Sequence, residues 1–462
     1  MINYFNFKQF GKCFLITNDL GKYAFISADE LSHLIQNEHE LSEDKYAELS
    51  AKAFITDNPI NDFSDMRIEQ MRSSKAYLYM ATGLHIFVLT NKCNHACIYC
   101  QASAGIKKDA YMSKETAKQA VDIALSSPNP HISIEFQGGE PLLNFETLRY
   151  IVDYAESVST DKDLSFAVVT NLSLITDEMI RFFLDHDVNV STSLDGPEKL
   201  HNINRPFANG SSSYRKVIET IKRLQDAGLD VGAIQTTTRY SFQYPEDIVE
   251  EYLSNGLRSV FIRPLTPLGA AGKIWKEIGY TPEEFCEFYG KILDYVIQKN
   301  MSNEQISENH AAIFLTKILH GYGSNYMELR SPCGAGFGQA AYYPDGFVFT
   351  CDEGRMLHEM GDDSFRIGNV YDNSYSEMMM SPGCRACAKS SLLEAIPGCC
   401  DCVYQPYCGT CPVINLALDG DITPNHPNSW RCRIYSGMLD KIFNILEKND
   451  SRVLDILNNW ML

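Results

Sequence analysis

Cys93, Cys97 and Cys100 stand at C-x3-C-x2-C in "LTNKCNHACIYCQASAG" (89–105), with no fourth cysteine nearby. Three thiolates are one short of the closed tetrahedral set that a structural zinc ion takes. A soft trio that leaves a position open suits an iron–sulfur cluster, one of whose irons must stay free for another ligand. Tyr99 stands directly before the third thiol.

A second concentration of sulfur lies far downstream. "CGAGFGQAAYYPDGFVFTC" sets Cys333, Gly346 and Cys351 at C-x12-G-x4-C, and "CCDCVYQPYCGTCPV" sets Cys399, Cys402, Cys408 and Cys411 at C-x2-C-x5-C-x2-C. Cys432 follows alone, and Cys384, Cys387 and Cys400 are extra. A pair of structural zinc sites is the plainer alternative for this region. Cys13 and Cys286 are isolated and read as packing residues.

Positioning such loops requires regular elements. From 84 to 299 short apolar runs alternate with amphipathic ones, and the runs at 84–90, 132–139, 164–171, 189–196, 230–238 and 259–265 read as strands. Between them "SKETAKQAVDIALSS" and "SYRKVIETIKRLQDAG" read as helices, the latter closed by Gly228. Strand–helix alternation implies right-handed crossovers and a parallel sheet. Six such units fit an α/β fold, a partial (β/α)6 barrel, whose active residues belong at the carboxyl ends of the strands. The three-thiol loop falls at that end of the first strand.

The remaining boundaries follow composition. Residues 1–80 form a small α+β module: "CFLITNDLGKYAFIS" reads as two strands around a turn, and "SADELSHLI" as a helix capped by Ser27. The pattern suits a winged-helix-like unit. Residues 81–300 are the barrel, 301–330 a helical linker, 331–435 a cysteine-rich domain and 436–462 a C-terminal helix. Ten of the fifteen cysteines fall within 331–433, where metal sites would staple a segment that buries little apolar surface.

Composition excludes several functions. At 45% hydrophobic and 21% charged residues the chain is of ordinary globular balance. A net charge of −19 argues against nucleic acid as a partner. No apolar run approaches the ~18 residues of a membrane span. The start, "MINYFNFKQFGKCF", does not read as a signal peptide, so the cysteines point to a reducing cytoplasm.

With these residues in place, the chain resembles the radical S-adenosylmethionine (SAM) enzymes. In that family the three-cysteine loop holds a 4Fe–4S cluster whose open iron chelates the amino and carboxylate groups of SAM, and an aromatic such as Tyr99 packs by the adenine. "FQGGEPLL" resembles the family's GGE motif through Gly138, Gly139 and Glu140, where glycines admit the methionine moiety and a carboxylate or carbonyls accept from its ammonium. "VVTNLSLIT" resembles the third-strand element with Asn171, and "STSLDGP" the fourth-strand segment that reaches the ribose through Ser193 and Asp195. Arg205 in "LHNINRP" and Arg263 in "FIRPL" are candidates to meet a carboxylate, or equally structural ion pairs.

The second cysteine set resembles the SPASM extension of peptide-modifying members, which carries up to two auxiliary 4Fe–4S clusters. That resemblance gives Cys333, Cys351 and Cys411 to the first and Cys399, Cys402, Cys408 and Cys432 to the second, three clusters in all. The chain departs from the pattern where Gly409-Thr410 leaves two residues before the last cysteine of the run rather than three. Its extra cysteines also leave the fourth ligand of the first auxiliary cluster open: one of them, or none. Asp352, directly after Cys351, matches an aspartate that takes the substrate proton in sulfatase-maturing relatives; a solvated Asp beside Glu353 is the plainer alternative.

Segment order over nearly the full length is similar to the His-Xaa-Ser system maturases. This implies a ribosomally made precursor peptide as substrate, its leader docked by residues 1–80, and an oxidative cross-link as product. It also implies a flavodoxin or ferredoxin as electron donor, with room for a partner maturase. Two rivals remain: oxidation of Cys or Ser to formylglycine, recognised by a linear product without a ring, and a non-catalytic electron-transfer or zinc-stapled scaffold, in which Glu140→Ala would leave activity intact.

Overall fold

The computed structural model describes residues 1–56, 66–105, 107–321 and 329–461. Parts of the expected 1–80 module (57–65) and 301–330 linker (322–328) therefore lie outside the described residues.

β4 (Leu84–Thr90) is buried along its whole length, as its mostly apolar sequence, broken only by His85 and Thr90, suits a strand covered on both faces. Beside it run β5 (His131–Gly138), β6 (Asp163–Val169), β7 (Val188–Ser193), β8 (Val231–Thr237) and β9 (Ser259–Pro264), all parallel. Their bounds match the six sequence expectations to within three residues. β5 shows how the sheet sorts its faces. Ile132, Ile134 and Phe136 are buried in the main core with Leu148, Ile151 and Val152 of the Phe145–Val158 helix, whereas Ser133, Glu135 and Gln137 lie on the partly open inner face. The expected helices form at Lys114–Leu125, capped by the Ser113 hydroxyl, and at Tyr214–Asp226, after which Gly228 takes φ +92°.

The sheet is wider than the six units predict. β10 (Ser307–Glu308) adds beyond β9. On the other side β11 (Gln339–Tyr342) pairs in parallel with β4, then β12 (Phe347–Phe349) and β13 (Arg366–Asn369) continue antiparallel, giving ten strands. The cysteine-rich region is thus grafted onto the barrel sheet. Cys333 and Cys351 bracket the β11–β12 hairpin, and Cys93 follows the end of β4.

The N-terminal module has three strands rather than two: β1 (Asn6–Phe10), β2 (Cys13–Thr17) and β3 (Tyr23–Ile26), all antiparallel. The helix Ala28–Gln36 follows, with Ser27 and Glu30 forming a reciprocal capping box. The tail is two helices, Trp430–Glu447 and Ser451–Asn458, instead of one from 436. The Ser429 hydroxyl accepts from the Cys432 N–H at 3.2 Å and starts the first of them, so Cys432 sits in its opening turn. Phe443 of this helix meets Tyr23 edge-on at 5.4 Å, joining the tail to the N-terminal sheet.

Candidate active site and auxiliary thiols

The loop after β4 is strapped from outside. Ile98 N–H donates to Asn204 O and Ala96 N–H to Pro206 O, both at 2.9 Å, and Ala270 N–H donates to Cys100 O at 3.0 Å. These bonds bring Cys93, Cys97 and Cys100 to the mouth of the barrel. The Cys93 thiol accepts from His95 N–H at 3.4 Å and lies 3.9 Å from the Asn171 amide nitrogen. Burial pushes the Cys93 thiol up to about 12 and Cys97 up to about 11, Arg205 opposing the latter.

Gly138 and Gly139 carry the end of β5 against this loop. A Cβ on Gly138 would overlap the Thr90 carbonyl, and one on Gly139 the Lys92 carbonyl; Gly139 N–H donates to Thr90 O at 2.7 Å and Glu140 N–H to Lys92 O at 2.8 Å. Only glycine permits that approach. The Glu140 carboxylate is fully buried and turned inward. It accepts from Thr170 Oγ1 at 2.7 Å, Asn171 N–H at 2.8 Å and Leu142 N–H at 3.1 Å. Burial raises its pKa and these donors oppose the rise. Of the two acceptors left open for a ligand ammonium, the carboxylate is engaged.

Tyr99 is buried with its hydroxyl donating to Asp195 at 2.8 Å and accepting from Arg205 Nη1 at 2.8 Å. Burial raises the Asp195 pKa against the pull of Arg205, and the buried acid also faces Thr236 N–H at 3.4 Å. Ser193 shares the half-open inner face of β7 with Ser191. Gly138, Gly139, Glu140, Asn171 and the Tyr99–Asp195–Arg205 chain therefore all surround the three-thiol loop.

Asp352 begins the Asp352–Glu359 helix, and the Cys351 thiol caps that helix by accepting from Gly354 N–H at 3.3 Å. Its carboxylate is ion-paired with buried Arg355 at 2.5 Å, so it is neither solvated nor free. Glu135, on the inner face of β5, lies within electrostatic reach of Asp352 and Arg263, and burial raises its pKa. Sequence reading passed over Glu135 and Arg355. The alternation Ile-Ser-Ile-Glu-Phe-Gln of β5 is the signal that marks Glu135 as inward-facing.

The downstream cysteines divide into two groups. Cys399, Cys402, Cys408 and Cys432 influence one another's ionisation. Cys333, Cys351 and Cys411 share a separate buried cluster. Among the described residues no three His, Cys, Asp or Glu side chains close on one point as ligands of a single ion do. A cubane spreads its thiolates over separate irons and needs a wider set than zinc does. Three thiols at an open mouth, with backbone and amide N–H groups beside one sulfur, fit such a cluster.

Residues 87–263 match the Radical SAM superfamily. Over that segment the chain is similar to the radical SAM enzymes. An uncharacterised protein of Methanocaldococcus jannaschii is 34% identical over 41% of the chain, a match spanning 65% of that protein. The cysteine-type anaerobic sulfatase-maturating enzyme of Clostridium novyi is 23% identical over 79% of the chain and 94% of its own length. Among solved structures, native anSMEcpe with bound AdoMet and Kp18Cys peptide superposes with TM-score 0.68 at 20% identity, covering 82% of this chain and 99% of that one. Streptococcus suis SuiB bound to precursor peptide SuiA gives 0.55 at 15% identity, covering 92% and 98%. The fold is thus that of these solved structures, and the radical SAM match implies a 4Fe–4S cluster and SAM. Among the described residues no helix is long and apolar enough to cross a membrane.

Proposed function

We propose that this radical SAM enzyme oxidises a ribosomally made precursor peptide and leaves a cross-link, as the His-Xaa-Ser system maturases do. What supports the reading is one juxtaposition: the three-thiol loop at the barrel mouth, and an inner face bearing Glu135, Ser193 and Arg263 with Asp352 beside it. Cys93, Cys97 and Cys100 would hold the SAM-binding cluster. That cluster and SAM, when bound and reduced by a flavodoxin- or ferredoxin-type donor, supply a 5′-deoxyadenosyl radical.

The chain's own residues do the rest. With the Glu140 carboxylate engaged, backbone carbonyls of the Gly138–Glu140 turn are the acceptors for the SAM ammonium. Arg205 would meet the SAM carboxylate, and Ser193 and Asp195 the ribose. Tyr99 keeps Asp195 and Arg205 aligned. The barrel orients one peptide C–H and excludes water. Each event would remove two hydrogens from the peptide as two of its atoms join: Asp352 would take one as a proton, and the bound SAM and an auxiliary cluster would supply the acceptors for the hydrogen atom and the remaining electron. Cys333, Cys351 and Cys411 serve the first auxiliary cluster and Cys399, Cys402, Cys408 and Cys432 the second. Residues 1–80 dock the leader.

Co-expression with small reading frames encoded beside the gene, followed by fragmentation mass spectrometry, tests this. A peptide lighter by two hydrogens per event, with fragments missing across a closed ring, is the expected product. The Clostridium novyi relative favours a second reading, formylglycine formation. A linear oxidised product without a ring would select it. No change in any neighbouring peptide would overturn the cross-linking reading.

A further inference from the structure

We propose that Cys387 is the fourth thiolate of the first auxiliary set, with Cys333, Cys351 and Cys411, and that Cys384 and Cys400 are not ligands. The inference rests on the reading that this set holds an iron–sulfur cluster. The four named cysteines occupy one small buried cluster walled by Leu268, Leu357, Phe365 and Val413, and are 2%, 1%, 0% and 3% exposed for Cys333, Cys351, Cys387 and Cys411.

Two buried hydroxyls tie Cys387 to its companions. Cys333 N–H donates to Ser391 Oγ at 2.9 Å, and the same hydroxyl donates to Cys387 O at 2.6 Å. Thr350, adjacent to Cys351, has its hydroxyl 3.7 Å from the Cys351 sulfur and acts on the ionisation of the Cys387 thiol. Cys387 is also within electrostatic reach of both Cys333 and Cys411. The four thiols share this chamber, and among the described residues no three His, Cys, Asp or Glu side chains close on one point as ligands of a single ion do.

The neighbouring cysteines are otherwise engaged. Cys384, one helical turn earlier on Pro382–Ser390, donates its thiol to Met378 O at 3.4 Å, packs over the backbone of Gly336 and belongs to the main core. Cys400 is half-exposed beside Asp401 at 3.6 Å.

The test uses the full chain with Cys93, Cys97 and Cys100 all changed to Ala, so that only auxiliary iron remains. Anaerobic reconstitution of this parent should give about eight irons per chain, four for each cubane. Adding Cys387→Ala should remove about four irons or, where three thiolates retain the cluster, change its reduced EPR spectrum. Cys384→Ala should match the parent in both. If Cys411→Ala alters iron and spectrum but Cys387→Ala does not, the assignment of Cys387 is wrong. If neither does, the first auxiliary cluster itself is wrong. Should the alanine variant fail to fold, Cys387→Ser and iron-edge anomalous diffraction from the reconstituted wild-type chain decide. An iron bonded to the Cys387 sulfur upholds the assignment, and irons on the other three alone overturn it.

Discussion

The buried Glu140 carboxylate faces three donors. Exchanging it for an amide turns an N–H toward Asn171 N–H or toward Leu142 N–H and Thr170, and an unsatisfied buried donor costs about 1–3 kcal/mol. Glu140→Gln should therefore lower the thermal midpoint and the yield of 5′-deoxyadenosine together. A loss of SAM affinity at unchanged midpoint would mean that the carboxylate touches the ligand instead. The thiols make a second prediction. Cys93 and Cys97 keep their protons in the folded chain up to about 12 and about 11, and iron must displace those protons. Reconstitution of the SAM-binding site should accelerate as pH rises from neutral toward 9, followed by iron uptake in a chain whose auxiliary cysteines are changed to alanine. Spacing made this trio legible at once, since it needs only eight consecutive residues. The inward turn of Glu140 was hidden because its partners, Thr170 and Asn171, come thirty residues later.

His85 joins two elements. Its ring nitrogens meet Tyr342 Oη of β11 at 2.9 Å and Thr82 O at 3.3 Å, and burial lowers its pKa from 6.5 to about 4. Between those values the unfolded chain binds the proton and the folded chain does not. Stability from this group is thus complete above pH 6.5 and lost as pH falls through about 4. Thermal midpoints should drop between pH 6.5 and 4.5, by an amount worth a few kcal/mol at most, and His85→Gln should flatten that slope. A slope unchanged in the variant would assign the acid sensitivity elsewhere, for example to His95, which is held to about 3 by burial. The six parallel strands were readable because each is a short run carrying β-branched or aromatic residues at its apolar positions. β11 was not: "QAAY" has two small side chains and forms a strand only because β4 offers it an open edge. β1, "NFKQF", is likewise masked by polar residues at Asn6, Lys8 and Gln9, and only its register with β2 reveals it.

Across the whole molecule, the N-terminal sheet grips the loop that carries Cys399, Cys402 and Cys408. The Asn6 amide donates to Cys400 O at 3.2 Å and Cys402 O at 3.1 Å, Thr17 Oγ1 to Val403 O at 2.7 Å, and Tyr407 Oη returns a bond to Gly21 O at 3.0 Å. Asn6→Ala should cost about 1 kcal/mol per lost bond. It should also quicken loss of iron from Cys399, Cys402, Cys408 and Cys432 under chelator challenge. Equal loss from wild type and variant would show that the grip does not matter to this site. The Lys8–Asp440 pair at 2.7 Å is partly exposed and adds at most about 1 kcal/mol. Composition marked the separate modules, but nothing periodic in the sequence announces contacts between residues nearly four hundred positions apart. The hairpin shared by Cys333 and Cys351 leans on β4, and β4 runs straight into the Cys93 loop. An electron exchanged between those two thiol regions would cross a gap fixed by a backbone ladder rather than by a swinging carrier. Its transfer rate should then be indifferent to solvent viscosity.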